Sequence, residues 1–142
     1  MWQADFAKNV LTAVLLTEAL TPRLTRPGAR VISVSSLAAQ RGNGSYGAAK
    51  AALHAWNHSL AAALGPDGIT CNVVVPGFVS RTEFFSPPPD TAELDRRATT
   101  TLLGRVANPE DVAGVIAFLA SDDAGYITGE LVQVNGGAML GR

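Results

Sequence analysis

Residues 69–77 read ITCNVVVPG, and this stretch decides the fold class. Its nearly continuous apolar run is typical of a strand that is buried on both faces of a parallel sheet. Upstream, RVISVS (30–35) is a second run of strand length, rich in β-branched residues. Between them lies YGAAKAALHAWNHSLAAAL (46–64), whose alanine and leucine content favours a helix. Strand, helix and strand in this order predict two parallel strands joined by a right-handed crossover.

The flanking segments extend the same alternation. Apolar residues recur at helical spacing through residues 2–20, and Pro22 is expected to end that helix. Asn108 to Asp111 (NPED) form a strong helix start, because asparagine caps, proline suits the first turn and acids face the positive helix end. A weaker helix is predicted around 91–101, and LVQV (131–134) reads as the last strand. The sequence therefore predicts an α/β domain with about three parallel strands.

Composition excludes several classes of protein. The 142 residues are 47% hydrophobic, which is enough for one packed core, so we expect a single domain over residues 1–142. Eleven basic and twelve acidic residues form no basic cluster, so neither nucleic acid nor a membrane is predicted as a partner. The single cysteine, Cys71, lies in the apolar run and is expected to be a buried thiol. Without a signal peptide or a membrane-length apolar segment, we predict a cytoplasmic protein.

The stretch GNGSYGAAK (42–50) fits two patterns at once. Its glycines spell G-x-G-x-x-G, the dinucleotide-binding fingerprint, but that loop must leave its strand directly. Here Ser36 ends the strand and five residues intervene before Gly42. The following strand ends in VVVPG, without the carboxylate that would hold a ribose. We therefore interpret these glycines as part of a turn and not as a phosphate loop.

The second pattern is Y-x-x-x-K, formed by Tyr46 and Lys50 on one face of the predicted helix. A free phenol titrates near pH 10, and a neighbouring ammonium favours its phenolate form. Ser36 and Pro76-Gly77 follow two strands at their carboxyl ends, where open α/β sheets place their ligands. Such a set suits hydrogen bonding and protonation of a carbonyl oxygen. The alternatives are a solvated helix face for the pair and an ordinary turn serine at Ser36.

Taken together, the segments resemble the C-terminal part of the short-chain dehydrogenase/reductase family, in particular its 3-oxoacyl-[acyl-carrier-protein] reductase-like members. The matching segments are NVLTAVLLTEAL, RVISVSS, SYGAAKAAL, GITCNVVVPG, LGRVANPEDVAGVIAFLASDDAGYITGE and VNGG. The resemblance implies a Rossmann-type fold and hydride transfer between a nicotinamide cofactor and a carbonyl or alcohol carbon. It implies NAD or NADP as cofactor, with NADP slightly favoured, and a homo-oligomer in the full-length form.

Carried over by position, the resemblance implies a role for each site residue. Tyr46 corresponds to the catalytic acid/base, and Lys50 to the residue that favours its phenolate and holds the nicotinamide ribose. Ser36 corresponds to the serine that binds the substrate oxygen, and Asn9 to the asparagine that holds a water in the proton relay. The residues that correspond to cofactor contacts are Tyr46, Lys50, Pro76, Gly77, Val79 and Thr82. The Ser36–Tyr46 spacing is three residues shorter than is common in the family, and Thr82 comes one residue late.

Residues 78–103 are expected to form a lid over the substrate pocket. In this region Phe84 and Phe85 either contact substrate or pack against the core. On the helix of Tyr46, His54 and His58 lie four residues apart, but no third ligand accompanies them, so no metal site is predicted. A place on the helix surface or in a subunit contact is expected for them instead.

Features of the family's N-terminal half have no counterpart in the sequence. These are the first strand, the T-G-x-x-x-G-x-G phosphate loop and the fourth strand with its Asn-Asn-Ala-Gly-like turn. We therefore expect one edge of RVISVS to be open. We also expect the 142-residue chain on its own to be inactive and to bind no cofactor measurably. The alternative is a non-catalytic remnant or interaction module that pairs with intact relatives.

Overall fold

The computed structural model describes residues 1–140, and its central element is a fully buried strand, β2 (Thr70–Pro76). β1 (Arg30–Val34) pairs with β2 in parallel, with Val34 opposite Val74. β3 (Leu131–Val134) pairs with the other side of β2, also in parallel. The sheet order β1-β2-β3 confirms the predicted α/β fold with three parallel strands.

Six α-helices flank this sheet in the described part of the chain, joined in places by single π or 3₁₀ turns. The α-helices are α1 (Trp2–Phe6), α2 (Thr12–Leu20), α3 (Ala38–Arg41), α4 (Gly44–Leu64), α5 (Thr91–Ala98) and α6 (Pro109–Ala120). The π turn is Ala7–Leu11, and the 3₁₀ turns are Thr21–Arg23, Gly65–Asp67 and Asp122–Ala124. No helix in residues 1–140 combines the length and apolar character that a bilayer crossing needs.

The core lies on both faces of β2, whose successive side chains point to opposite sides. On one face Cys71 packs with Leu64 at the end of α4 and with Ile69. On the other face Val74 packs with Leu119 of α6. The two crossover helices therefore cover opposite faces, as in doubly wound α/β folds. Cys71 is fully buried, which confirms the expected buried thiol, and this burial raises its pKa to about 11.

Within residues 1–140, β1 has β2 as its one neighbouring strand, so its other edge is open as expected. Ser35 N donates to Val74 O, which points the Ser35 backbone towards β2. Because the backbone groups of successive strand residues point alternately to the two neighbouring positions in the sheet, the carbonyl of Val34 points towards the open edge. Val34 is 42% exposed there.

Two local features differ from the sequence-based expectation. The helix predicted over residues 2–20 is interrupted by the π turn, and Pro22 lies inside the 3₁₀ turn that prolongs it. After β1, a glycine-rich turn was expected, but Ala38–Arg41 form the short helix α3. The predicted helix start at Asn108 is confirmed, and there the Asp111 carboxylate accepts from the Asn108 N–H at 2.8 Å.

Candidate active site

A cavity of about 960 Å³ opens at the carboxyl ends of β1 and β2. Every residue to which the sequence assigned a catalytic, cofactor-binding or substrate-binding role lines this one cavity. These residues are Asn9, Ser36, Tyr46, Lys50, Pro76, Gly77, Val79, Thr82, Phe84 and Phe85. Ligands of open α/β sheets bind at this edge.

Tyr46 and Lys50 lie one turn apart near the start of α4, and both are half-buried. The Lys50 ammonium is 6.0 Å from the centroid of the Tyr46 ring. It donates at 3.0 Å to the carbonyl of Val34, the group that points to the open edge of β1. Burial lowers the pKa of the Lys50 ammonium. Lys50 thus links the sheet edge to the face of α4 that carries the phenol.

The two serines after β1 have different tasks. Ser36 Oγ accepts from the Ala38 N–H at 3.2 Å, which leaves its hydroxyl proton available for a ligand in the cavity. Ser35 is buried and donates at 3.0 Å to the Lys50 carbonyl, and its Oγ lies 2.7 Å from His54 Nε2. Since a hydroxyl has one proton, a Ser35 that donates to the carbonyl must accept from the imidazole. Ser35 therefore fastens the end of β1 to α4.

His54 and His58 were expected on the helix surface or in a subunit contact, and the subunit contact stays a prediction. His58 is exposed on the surface of α4, whereas His54 contacts Ser35 within the chain. The His54 ring is half-buried because it reaches Ser35, which directly follows β1 at the edge of the cavity. Burial, with a smaller contribution from the charge of His58, lowers the pKa of His54. The sequence offered no signal for this contact, because Ser35 and His54 are 19 residues apart. Of the two adjacent serines, the sequence assigned a role to Ser36 and none to Ser35.

Asn9 reaches the cavity from the π turn between α1 and α2. Its Nδ2 donates at 3.0 Å to the carbonyl of Asp5. The Asp5 carboxylate in turn accepts a short hydrogen bond from the hydroxyl of Ser45, the residue before Tyr46. π turns occur often at functional sites, because they shift one side chain out of helical register. Here the turn and the Asp5–Ser45 contact place the Asn9 amide on the same wall as the start of α4.

The glycines of the fingerprint serve the turn and its packing. Gly42 has a left-handed backbone, with φ of 73°, and ends α3. Gly47 lies so close to α3 that an added Cβ would be 2.7 Å from the Ala38 carbonyl oxygen. Gly77, predicted as a cofactor contact, lines the cavity, and an added Cβ there would be 3.0 Å from Asn135. Close backbone packing therefore accounts for glycine at positions 47 and 77.

Aromatic side chains from the predicted lid form one wall of the cavity. The Phe84 ring lies 5.8 Å from Tyr46 and 5.0 Å from Phe85, and Phe85 stacks on Phe78 at 4.7 Å. The guanidinium of Arg97, on α5, lies over the Phe78 ring at 5.0 Å. Phe84 and Phe85 thus pack on each other, on Phe78 and on Tyr46 and line the cavity, and their contact with substrate stays a prediction. We call Tyr46, Phe84, Phe85 and Phe78 the aromatic wall.

Three cationic residues of the cavity were not predicted from the sequence. Lys8, Arg41 and Arg97 line it beside Lys50. They come from three separate elements and form no run along the chain, so a search for basic clusters in the sequence misses them.

Comparisons with known proteins fit this geometry. A family model described as enoyl-(acyl carrier protein) reductase matches residues 1–139. A solved short-chain dehydrogenase/reductase from Brucella melitensis, described as a glucose/ribitol dehydrogenase, is 33% identical with a TM-score of 0.90. It matches 99% of this chain and 57% of its own. The chain belongs to the short-chain dehydrogenase/reductase family.

Two further relatives show how far the match extends. The (3R)-3-hydroxyacyl-CoA dehydrogenase of Rattus norvegicus is 38% identical over an alignment of 144 positions, which covers 98% of this chain and 55% of the relative. A short-chain dehydrogenase from Burkholderia cenocepacia, solved in complex with NADP, is 33% identical with a TM-score of 0.81. It matches 92% of this chain and 53% of its own. The chain thus spans about half the length of the relatives it matches.

Proposed function

We propose that this site is the catalytic end of an NAD(P)-dependent oxidoreductase that interconverts a carbonyl and an alcohol. The observation that carries the proposal is the convergence of Ser36, Tyr46, Lys50 and Asn9 on one cavity at the carboxyl edge of the sheet. Three separate segments of the chain supply these groups: the π turn supplies an amide, the end of β1 a hydroxyl, and the start of α4 both a phenol and an ammonium. Membership of a family whose matched members include dehydrogenases and reductases supports the same reaction class.

In this proposal each side chain acts on a stated atom. The Tyr46 hydroxyl gives a proton to the substrate oxygen during reduction and takes it back during oxidation. Ser36, whose Oγ already accepts from Ala38, donates its own proton to the same oxygen. The Lys50 ammonium favours the phenolate by its charge. Asn9, with its Nδ2 bonded to Asp5, keeps its amide oxygen for a water that resupplies the proton.

The described residues fit the nicotinamide end of a cofactor. When bound, the cofactor supplies or accepts the hydride. Lys50 has ammonium protons beyond the one given to Val34, and these would bind ribose hydroxyls. Pro76, Gly77, Val79 and Thr82 line the neighbouring wall and would hold the nicotinamide. A relative solved with NADP supports the nucleotide class, and NADP over NAD stays a prediction.

Exposed apolar helix faces favour a second candidate function, an interaction module that pairs with intact relatives. On α2 and the preceding π turn, Leu11, Leu15 and Leu16 are 50–61% exposed, and Trp2 on α1 is 58% exposed. The open edge of β1 adds backbone groups that could pair with another strand. The predicted homo-oligomer and the cytoplasmic location stay predictions.

A fusion experiment tests the catalytic proposal. The N-terminal part of the rat relative that this chain does not match is joined in frame before Met1, so that a phosphate-binding half precedes the site. NADPH binding is measured by fluorescence, and turnover by NADPH oxidation with 3-oxoacyl-CoA and simple ketones. We expect the 142-residue chain alone to show neither, because positioning of the cofactor is most of this chemistry. We expect the fusion to show both.

The controls separate a folding failure from a wrong assignment. Far-UV circular dichroism and NADPH binding establish that the fusion is folded. A folded fusion that binds NADPH without oxidising it with any of these carbonyls would overturn the catalytic proposal. Stable association of the chain with an intact relative, together with that result, would support the interaction module.

A further inference from the structure

The lining of the cavity has a charge that the chain as a whole does not have. The chain carries a formal charge of −1. Among residues 1–140, four cationic side chains and one carboxylate line its cavity: Lys8, Arg41, Lys50 and Arg97 against Asp5. The lining is therefore at +3 (four minus one), and the Asp5 carboxylate is already engaged by the Ser45 hydroxyl. A concave surface of one sign concentrates ions of the opposite sign.

Arg97 is held by two contacts. Its Nε donates to Glu93 one turn back at 2.7 Å, and its guanidinium lies over the Phe78 ring. Glu93 also pairs with Arg96, so two guanidinium groups share one carboxylate. The remaining N–H groups of Arg97 form a planar fork, which matches a carboxylate or phosphate group.

The aromatic wall connects this guanidinium to the phenol. Four successive contacts, each between 4.7 and 5.8 Å, lead from Tyr46 through Phe84, Phe85 and Phe78 to Arg97. The three phenylalanine rings in this series carry no polar atom. An apolar segment of a ligand that lies along it buries its surface without leaving a polar group unpaired.

We propose that the substrate of this site is an amphiphilic oxo compound, whose anionic group binds Arg97 while its apolar segment lies along the aromatic wall and its carbonyl faces Tyr46. The inference rests on the proposed function for the orientation of the carbonyl. The anion site itself depends on Arg97 and the wall. A carboxylate and a phosphate ester share the chemistry that the guanidinium recognises.

Binding to the 142-residue chain tests the inference without any need for turnover. The probes are 7-oxooctanoate and its methyl ester, which differ by one negative charge, and the readout is NMR titration of the ¹⁵N-labelled chain, including the Arg97 Nε–H signal. We expect the acid to bind about tenfold more tightly than the ester at low salt, and this preference to shrink as salt is added.

Two neighbouring arginines provide a matched pair of variants. Arg97→Gln should bring the acid and the ester to equal affinity. Arg96→Gln should keep the tenfold preference, because Arg96 shares the Glu93 carboxylate but does not line the cavity. If both variants lost the preference for the acid equally, the net charge of the chain and not the Arg97 guanidinium would attract the acid. That result would overturn the inference. Equal affinities of acid and ester in the unsubstituted chain would also overturn it.

A third probe separates the substrate from the cofactor as the source of the anion. This titration uses the folded fusion: if Arg97→Gln weakens the binding of nicotinamide mononucleotide and leaves the binding of 7-oxooctanoate unchanged, the guanidinium serves a cofactor phosphate and the inference is wrong. Tyr46→Phe should keep the preference for the acid, because the phenol is not the anion site. Loss of turnover in the fusion therefore tests the proposed function, while loss of the charge preference tests this inference alone.

Discussion

Gly47→Ala is the substitution that most sharply tests how the turn after β1 supports the site. Gly47 is buried in the first turns of α4, and an added Cβ would be 2.7 Å from the carbonyl oxygen of Ala38. Ordinary contacts begin at 3.4 Å, so α3 would have to move by several tenths of an ångström. Ala38 also donates the N–H that Ser36 Oγ accepts. The substitution should therefore disturb both the packing of α3 and the position of the serine.

The magnitude follows from two opposing effects. Alanine in place of glycine within a helix contributes up to about 1 kcal/mol of stability. Overpacking against a backbone atom costs about 1–3 kcal/mol. Gly47→Ala should thus lower the free energy of unfolding by about 0–2 kcal/mol. Gly114→Ala on α6 is the control, because an added Cβ there meets no atom within 4 Å, so about 0.5–1 kcal/mol of stabilisation is expected.

The assay is urea unfolding followed by far-UV circular dichroism on both variants and the unsubstituted chain. We expect Gly114→Ala to raise the midpoint and Gly47→Ala not to raise it, with Gly47→Ala less stable than Gly114→Ala by about 0.5–3 kcal/mol. Equal stabilisation by both substitutions would refute the reasoning, because it would mean that α3 does not pack against α4 at this glycine.

Two further predictions concern buried titratable groups. His54 has a pKa below its unfolded value of about 6.5, so the unfolded chain binds the proton first and the free energy of unfolding should fall as pH drops below 6.5. His54→Gln should flatten this fall and His58→Gln should keep most of it in urea titrations at several pH values; an unchanged fall in His54→Gln would contradict the assignment. Cys71 should resist iodoacetamide in the native chain and react after unfolding in urea, since its thiol is buried and its pKa is raised to about 11. Rapid native labelling would show that β2 is not packed as described.

The sequence predicted the strands and the long helix because their signals are local. The apolar run of β2 and the alanine-rich stretch of α4 each carry their pattern within a few consecutive residues. Most of the predicted site residues come together because their segments meet at one edge of the sheet. Ser36 follows β1, Gly77 follows β2, and Tyr46 is near the start of α4. The alternation of strands and helices already determines that edge.

The missed features depend on contacts between distant residues. The Ser35–His54 pair joins two residues that only the crossover brings together. The π turn that carries Asn9 shifts one hydrogen bond within an otherwise helical pattern, which composition does not reveal. Likewise, folding brings the Arg97 guanidinium over the Phe78 ring and into the lining of the cavity. Each of these features required the folded arrangement.

The most direct test of the central claim is turnover of the folded fusion with each tyrosine changed in turn. The chain has two tyrosines, and Tyr126 is fully exposed, so Tyr126→Phe removes the same hydroxyl away from the cavity. We expect Tyr46→Phe to lower kcat by about 10²–10⁴-fold while NADPH binding persists, and Tyr126→Phe to leave kcat unchanged. Retained turnover in Tyr46→Phe would contradict the assignment of Tyr46 as the acid/base.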